Sequence, residues 1–362
     1  MLLVVNAGSS SLKFAVFDGL DAKLRGQVSG IGDDPQLEID GEPARPLKAV
    51  ASHQDAIRAI EAWLKTRSMS AASFSGIGHR LVHGGARYVS PVIVDDAVEK
   101  DLHALERLAP LHMPVGVRVL ADMRQLAPQV PNIACFDTAF HATQPELETR
   151  LALPRVYFDQ GYRRYGFHGL SYAHIVKALP ELTGKPLPRR LIVAHLGMGA
   201  SLCAIRDGKS VATTMGYSTA DGLVMGTRTG SIDPGVLLGL LRDEHPKVSD
   251  LEDLLYRKSG MLGISGLSGD MRALLASSAP EAGEAVEHFC YSAARHAASL
   301  LPPLGGLDAM VFTGGIGEHA GPVRARILHH LGWLGLRPEQ VHVIAANEEL
   351  TIARDVLSVT GQ

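Results

Sequence analysis

Two short apolar runs separated by a small polar loop open the chain. Residues 2–5 are Leu-Leu-Val-Val, Asn6 and a glycine-serine loop follow, and residues 14–17 form a second apolar run that ends before Asp-Gly. Apolar runs bounded by small polar residues predict two strands joined by a tight loop. The serines, and Lys13 at the start of the second run, would offer donors and a positive charge to a bound phosphate. An ordinary serine-rich hairpin is the alternative.

A later stretch repeats this pattern. Residues 191–208 align without a gap on residues 2–19, with His195 on Asn6, and both stretches end in Asp-Gly. Two related hairpins predict two related halves, because a duplicated unit repeats its fold. Chance similarity between two hairpins is the alternative.

Apolar spacing predicts the remaining elements. Residues 20–50 are polar and predict a short β excursion with loops. Helices are expected at 53–67, 95–107, 115–126, 172–179, 234–242 and 281–301, with Ser171 as the start of the fourth. Strands are expected from residue 76 into paired glycines, at 132–137, from 309 into a glycine-rich turn that ends at 319, and at 341–346.

Four residues stand at positions that favour chemistry over packing. Arg80 lies within a predicted strand, where an edge residue reaching to solvent is the alternative. Asp137 ends an apolar strand, the position at which open α/β sheets bind ligands, although a cap is the alternative. His168 lies between two glycines, and Arg228 lies in a loop of small residues, where a solvent-facing arginine is the alternative.

Composition limits the domain count and the classes of partner. A chain of 362 residues, 46% hydrophobic, exceeds what one core usually supports, so two domains are expected, with a boundary near residue 140. The formal charge of −3 gives no general attraction to nucleic acid or to an anionic membrane.

The chain also lacks the patterns of export. No apolar run approaches the ~20 residues that span a bilayer, and the first residues show neither a basic region nor a cleavage site, so a cytoplasmic protein is expected. The cysteines, Cys135, Cys203 and Cys290, are odd in number and without paired spacing, which argues against disulfides or a zinc site and predicts reduced core residues.

Six segments together resemble the acetokinase family, and the match is ordered along nearly the whole chain. They are residues 6–13, 78–85, 136–141, 165–169, 225–228 and 314–318. The resemblance implies an α/β fold of two duplicated ribonuclease-H-like domains, as in sugar kinases, heat-shock ATPases and actin, with nucleotide in the cleft between them. The first domain would comprise residues 1–140 plus 348–362, and the second, residues 141–347, would carry most of the nucleotide site.

The resemblance further implies a homodimer. It implies an enzyme that converts acetate and ATP to acetyl phosphate and ADP, reversibly, with Mg²⁺, or Mn²⁺ as the alternative, as its metal ion. Catalytic roles fall on Asp137, His168 and Arg228, the acid's carboxylate on Arg80, the apolar acyl wall on Val82, Leu111 and Phe167, and the metal on Asn6 and Glu348. Nucleotide contacts fall on Lys13, His195, Leu196, Gly197, Met198, Gly199, Asp270, Met271, Arg272, Gly315, Ile316, Gly317, Glu318 and His319.

Three departures from the family pattern affect substrate binding. Met198 stands where the phosphate loop usually has asparagine, which removes an amide donor, and Met113 likewise replaces an asparagine. Residues 218–222 replace a Thr-Pro-Leu-Glu-Gly stretch whose proline lines the acyl pocket, and the chain is shorter than most relatives. The acyl preference and the nucleotide affinity therefore stay open.

The reaction itself explains the residue types. Two anions must meet, and unit charges at ~4 Å repel by about 4 kcal/mol at an effective dielectric near 20, so arginines and a metal ion are needed. A carboxylic acid with a pKa of about 4.3 is already ionised at neutral pH, so Asp137 is expected to orient the magnesium shell or an arginine rather than act as a base. A propionate or butyrate kinase is the close alternative, and a heat-shock-like conformational ATPase is the alternative from another class.

Overall fold

The computed structural model describes residues 1–361 and divides into two compact units. The first unit contains Met1–Phe140, Gly169–His174 and the chain from Asn347 to the end of the described residues. The second contains His141–His168 and Ile175–Ala346. This grouping differs from the domain limits expected from the sequence, because residues 169–174 and Asn347 belong to the first unit.

The first unit contains an eight-stranded sheet. Its strands are β1 (Leu2–Ala7), β2 (Leu12–Asp18), β3 (Asp21–Ser29), β4 (Gln36–Ile39), β5 (Arg45–Pro46), β6 (Gly76–Leu81), β7 (Val92–Ile93) and β8 (Asn132–Phe136). Their order is β5-β4-β3-β2-β1-β6-β8-β7. Its helices before residue 140 are α1 (His53–Lys65), α2 (Asp96–Ala104) and α3 (Met113–Leu126).

The second unit contains a five-stranded sheet and most of the helices. The next elements in the chain are α4 (Glu146–Thr149), α5 (Arg155–Asp159), α6 (Gly169–Thr183), β9 (Arg190–Leu196), β10 (Ala200–Arg206), β11 (Lys209–Thr213), α7 (Pro234–Asp243), α8 (Val248–Arg257), α9 (Gly260–Ser265) and α10 (Met271–Ala276). They are followed by α11 (Pro280–Ser299), α12 (Leu301–Leu304), β12 (Ala309–Thr313), α13 (Gly314–His319), α14 (Gly321–His330), β13 (Val341–Val343) and α15 (Glu348–Thr360). The sheet order is β11-β10-β9-β12-β13.

The two sheets share one topology. In the first unit β1, β2 and β3 pair antiparallel and β6 and β8 continue parallel to β1. In the second unit β9, β10 and β11 pair antiparallel and β12 and β13 continue parallel to β9. The predicted duplicated α/β fold is therefore confirmed.

Local chemistry explains why several helices begin where they do. The Ser52 hydroxyl accepts from the Asp55 N–H, and the Asp55 carboxylate accepts from the Ser52 N–H, which is a capping box at the start of α1. Pro114 occupies the first turn of α3, where its missing N–H costs no helical hydrogen bond. Both helices were predicted from the sequence.

Helix α15 packs closely on the first sheet. A Cβ atom on Gly78 would lie 2.4 Å from Ile352 Cγ2, and one on Gly76 would lie 2.8 Å from Val356 Cγ1, so the glycines of β6 make room for this helix. Ile352 and Val356 are fully buried with Val4 in a core under the sheet. The packing places Glu348, the first residue of α15, beside β6.

The structure corrects five sequence-based expectations. Helix α6 begins at Gly169 rather than at Ser171, because His168 already occupies the N-cap position and the Gly169 N–H donates to the Asp137 carbonyl. The stretch 314–319 is a short helix rather than a turn, the last strand ends at Val343, and helix α15 was not predicted. Predicted helix 95–107 is divided into α2 and a 3₁₀ turn over Glu106–Leu108.

The repeated hairpins also differ in length. Ala7 pairs with Leu12 across a four-residue loop, whereas Leu196 pairs with Ala200 across a three-residue loop. The gap-free alignment of the two stretches is therefore wrong after the loop, because the second hairpin lacks one loop residue. Asn6 pairs with Lys13, and the corresponding partner of His195 is Ser201.

Two further observations bear on the expectations drawn from composition. Cys135, Cys203 and Cys290 are free and buried, as predicted. Within the described residues, no helix has the length and apolar character that crossing a membrane requires.

Candidate active site

In the first unit, the adjacent strands β2, β1 and β6 carry Lys13, Asn6 and Arg80 next to one another at one edge of the sheet. We name these three residues the first row. Asn6 pairs with Lys13 across β1 and β2. Arg80 follows His79, the partner of Val5 on β6, and its Nη1 lies 3.5 Å from Asn6 Oδ1. Lys13 is exposed and lines a cavity of about 510 Å³. The row places two cations on either side of one amide.

Arg80 forms a two-pronged contact with Asp137. Arg80 Nε donates to Asp137 Oδ1 at 3.0 Å, and Arg80 Nη2 donates to Asp137 Oδ2 at 2.8 Å. Asp137 is only 1% exposed, so this charge is held away from water beside its partner. Strand β6 lies between β1 and β8, so the alternative of an edge-strand arginine is wrong.

Glu348 is the second carboxylate at the Arg80 guanidinium. Glu348 Oε2 lies 3.2 Å from Arg80 Nη1. Burial opposes the charge of Arg80, but the carboxylates of Asp137 and Glu348 outweigh it and raise the pKa of Arg80 above its ordinary value. The guanidinium therefore stays charged, surrounded by oxygen atoms from Asn6, Asp137 and Glu348.

The residues of the predicted acyl wall are divided between the units. Val82 and Leu111 are half-buried in the first unit, and Phe167 is fully buried in the second. Met113, where the family has asparagine, is completely buried at the start of α3 and packs in an apolar core with Leu81 and Phe136.

In the second unit, His168 is held in an unusual backbone conformation. Its φ is +58°, in the left-handed region, which non-glycine residues adopt mainly where the surrounding structure enforces it. Its Nδ1 lies 2.8 Å from Ser201 Oγ, and its ring stacks on His195 with centroids 4.2 Å apart. These two contacts fix the direction of the imidazole, and Nε2 faces Gly199.

Arg228 approaches the same glycine. A Cβ atom on Gly199 would lie 3.4 Å from Arg228 Nη1 and 3.6 Å from His168 Nε2, so the two side chains converge on the loop of the second hairpin. Arg228 Nη1 donates to the Thr219 carbonyl at 3.2 Å, and burial lowers the pKa of Arg228. Arg228 is half-buried, so the solvent-facing alternative is wrong.

The loop of the second hairpin packs on the segment that carries Arg228. The Gly226 N–H donates to the Met198 carbonyl at 3.1 Å. A Cβ atom on Gly226 would lie 2.5 Å from Met198 Cε, so the Met198 side chain covers this glycine. Met198 is itself 56% exposed.

A cavity of about 340 Å³ opens beside this loop. Eight of the residues expected to contact nucleotide line it: Gly197, Met198, Asp270, Met271, Arg272, Gly315, Ile316 and His319. Leu275, Ala320 and Pro322 complete the lining. The cavity is mainly apolar, and its lining includes Gly197 and Gly315, a combination that suits a purine ring and a phosphate chain.

Several residues expected to contact nucleotide are buried, make structural contacts or belong to the other unit. Leu196 and Gly317 are buried. Glu318 accepts a hydrogen bond from the Ala346 N–H at 2.9 Å, so its side chain supports the chain before α15. Asp270 caps α10 through the Arg272 N–H. Lys13 belongs to the first unit.

Sequence reasoning missed two groups that orient the candidate catalytic residues. One is Ser201, which the hairpin register places opposite His195 and which bonds to His168. The other is buried His141, whose Nε2 lies 2.9 Å from the Phe167 carbonyl while its Nδ1 lies 2.9 Å from Ser210 Oγ. Burial lowers the pKa of His141 to about 4, so it is neutral and its Nε2 can donate to that carbonyl. A one-residue gap in the loop of the second hairpin aligns Ser201 with Lys13, and this alignment would have indicated Ser201 as a candidate site residue.

Comparison with known proteins decides the family. The profile of the acetokinase family matches residues 1–357. The chain belongs to the acetokinase family. The acetate kinase of Rhodopseudomonas palustris (strain ATCC BAA-98 / CGA009) is 47% identical over 348 residues, which cover 93% of this chain and 87% of the relative.

Solved structures of acetokinases show the same fold. A propionate kinase from Francisella tularensis subsp. tularensis SCHU S4 aligns with a TM-score of 0.93 and 32% identity, covering 99% of each chain. The acetate kinase of Porphyromonas gingivalis aligns with a TM-score of 0.90 and 31% identity, again covering 99% of each chain. The resemblance stated from the six sequence segments is thus confirmed at the level of the family and the fold.

Proposed function

We propose that the protein transfers the γ-phosphoryl group of ATP to acetate, giving acetyl phosphate and ADP, and that it catalyses the reverse reaction. Membership of the acetokinase family supports this proposal. The observation that carries it is the charged guanidinium of Arg80, already paired with carboxylates at the end of the first row.

Arg80 retains donors for a substrate carboxylate. Of its five N–H groups, Nε and one on Nη2 donate to Asp137, and one on Nη1 faces Glu348. One N–H on Nη2 remains, and the second N–H on Nη1 makes only a long contact of 3.5 Å with Asn6 Oδ1. A small acid that replaces this contact would engage both N–H groups with its two oxygens. Asp137 then acts as a positioning residue that fixes the plane of this fork.

The second unit supplies the phosphoryl donor. We assign the adenine and ribose to the 340 Å³ cavity and the phosphates to the loop at residues 197–199. His168 and Arg228 converge on this loop, where their donors would stabilise charge on the equatorial oxygens of the transferring phosphoryl group. The acid is already ionised at neutral pH, so the transfer needs no general base.

The oxygen atoms around Arg80 fit a magnesium ion. Among residues 1–361 no three His, Cys, Asp or Glu side chains form a metal cluster, but Mg²⁺ keeps several waters and needs few direct protein ligands. Asn6 and Glu348 would hold it, with Asp137 orienting its waters. Bound there with nucleotide, the ion would neutralise charge on the phosphates.

We also propose that two copies form a homodimer through α7 and α8. No residue of either helix is buried, although Val236, Leu238, Leu241 and Val248 are 48%, 64%, 42% and 73% exposed. Exposed apolar patches of this kind mark interaction surfaces. Leu238→Lys should reduce the mass measured by sedimentation to that of a monomer. Leu147→Lys, at an isolated residue that is 89% exposed, should leave the mass unchanged, and a wild-type monomer would contradict the proposal.

The test of the activity is a hydroxylamine trap for acyl phosphate with ATP, Mg²⁺ and acids of increasing chain length. Acetate should give the highest kcat/KM. A maximum at propionate or butyrate would make the protein a kinase for that acid. ATP turnover that is equal with and without acid would reject the proposal in favour of a conformational ATPase.

The cell compartment completes the proposal. We propose a cytoplasmic enzyme, because ATP is its substrate and its three cysteines are unpaired, as is usual in a reducing compartment.

A further inference from the structure

The methionines of this chain differ sharply in exposure. The sequence has 10 methionines. Met198 is 56% exposed and Met1 is 47% exposed. Met69 is half-buried, and the remaining seven are buried. Within the described chain, Met198 is thus the most exposed methionine, and its loop lines the nucleotide cavity.

The cysteines do not compete with it for oxidants. Cys135, Cys203 and Cys290 are all buried. Burial raises the pKa of each thiol, to about 12 for Cys203 and Cys290, so little reactive thiolate forms at neutral pH. A small peroxide therefore meets exposed sulfur-containing side chains mainly at Met198 and Met1, and of these two only Met198 lines the nucleotide cavity.

We propose that Met198 is a reversible oxidation site that controls nucleotide binding. Its sulfur donates a lone pair to one oxygen of a hydroperoxide, the O–O bond breaks, and the other oxygen leaves as water or alcohol after taking up a proton. The thioether becomes a sulfoxide, and two electrons pass to the peroxide. A methionine sulfoxide reductase reverses the change: two thiols are oxidised to a disulfide, and the sulfoxide oxygen leaves as water.

The position of Met198 gives the modification its effect. The inference rests on the proposed function, since it assigns the ATP phosphates to residues 197–199. The sulfoxide adds an oxygen that can only accept hydrogen bonds, beside phosphate oxygens that need donors. The sulfur also packs over Gly226, on the segment that carries Arg228, so a polar group there loosens this contact.

The experiment treats the full-length protein with hydrogen peroxide and maps sulfoxide by peptide mass spectrometry. ATP binding by equilibrium dialysis and the KM for ATP and for acetate are measured before and after treatment. We expect sulfoxide first at Met198, slower modification when ATP is present, and a rise of about fivefold or more in the Kd and KM for ATP. The KM for acetate should change little, and methionine sulfoxide reductase should restore ATP binding.

Variants separate this effect from general damage. Met198→Leu, compared with its own untreated sample, should keep its ATP affinity after peroxide, and Met198→Gln should resemble the oxidised protein. Met69→Leu is the matched control and should remain as peroxide-sensitive as the unmodified sequence. Loss of ATP binding by treated Met198→Leu, or unchanged ATP binding with Met198 fully oxidised, would overturn the inference.

The two proposals fail in different ways. Untreated protein that binds ATP but forms no acyl phosphate would reject the proposed function, and a fall in ATP binding after oxidation of Met198 would still support this inference. Untreated protein that binds no ATP would overturn both.

Discussion

The two units carry different chemistry at matching positions of one sheet topology. The first row is Lys13, Asn6 and Arg80. At the corresponding strand ends of the second unit, a second row contains Ser201, His195 and Thr313. The first row has two permanent cations, and the second has hydroxyl groups around one imidazole.

Under the proposed function, this difference separates two tasks. The acid and a metal ion would need opposite charges and oxygen ligands, which the first row would provide with Asp137 and Glu348. The nucleotide would need close backbone approach and neutral donors, which the second row would provide beside the 197–199 loop. One sheet topology thus carries different side chains at matching strand ends.

Of the substitutions that test this comparison, Arg80→Ala should have the largest effect on activity. Loss of charge-assisted hydrogen bonds worth about 1.5–3 kcal/mol each should reduce kcat/KM for acetate by about 100-fold or more, mainly through the KM for acetate. Arg80→Lys should recover little, because an ammonium cannot form the two-pronged contact. Steady-state kinetics with each substrate varied in turn are the measurement. Equal changes in the KM for acetate and for ATP would mean that Arg80 does not hold the acid.

Asp137→Asn should reduce turnover about 10- to 100-fold, because it removes a charge-assisted contact to Arg80 and the charge that orients the metal shell. The Mg²⁺ concentration for half-maximal rate should rise. Initial rates over a range of Mg²⁺ concentrations test this, with Asp33→Asn, an exposed residue, as control. An Mg²⁺ dependence identical to that of the unmodified sequence would reject this role for Asp137.

His79→Phe replaces a first-unit residue with the one at the matching position of the second unit, Phe312. Burial lowers the pKa of His79 to about 4, so the unfolded chain binds a proton that the folded chain excludes, and stability falls as the pH falls from about 6.5 towards 4. From pH 7 to pH 5 this histidine should cost about 2 kcal/mol of stability. Urea unfolding should show that His79→Phe loses less free energy of unfolding between pH 7 and pH 5 than the unmodified protein does. An equal loss in both proteins would mean that His79 does not cause this pH dependence.

Ser201→Ala should have the smallest effect. Loss of one hydrogen bond to His168, worth about 1 kcal/mol, should lower kcat about fivefold and leave the KM for ATP nearly unchanged. Ser90→Ala, at an exposed site, is the control for both kinetic constants. A rise in the KM for ATP with constant kcat would show that Ser201 holds nucleotide rather than the imidazole.

Much of the fold was predictable because short-range patterns determine it. The apolar runs of β1 and β9 and the capped helix α1 agree with the structure. The strand end at Asp137 was also expected to carry chemistry, and the structure places Arg80 there.

Other features depend on contacts that are distant in the chain. The start of α6 depends on the Asp137 carbonyl, which bonds to the Gly169 N–H. The role of Ser201 depends on a loop one residue shorter than its counterpart, which sequence similarity alone concealed. Helix α15 begins at Glu348, and its packing on Gly78 joins residues that are far apart in sequence.

The return of α15 to the first sheet has a consequence for synthesis. Every strand of the first sheet is complete by residue 136, whereas Glu348 is synthesised only after the whole of the second sheet. Until then Arg80 lacks this carboxylate, and the apolar positions of β1 that pack on α15 lack this cover. The unit proposed to bind the acid is therefore the first to begin synthesis, but it is completed only after the second sheet.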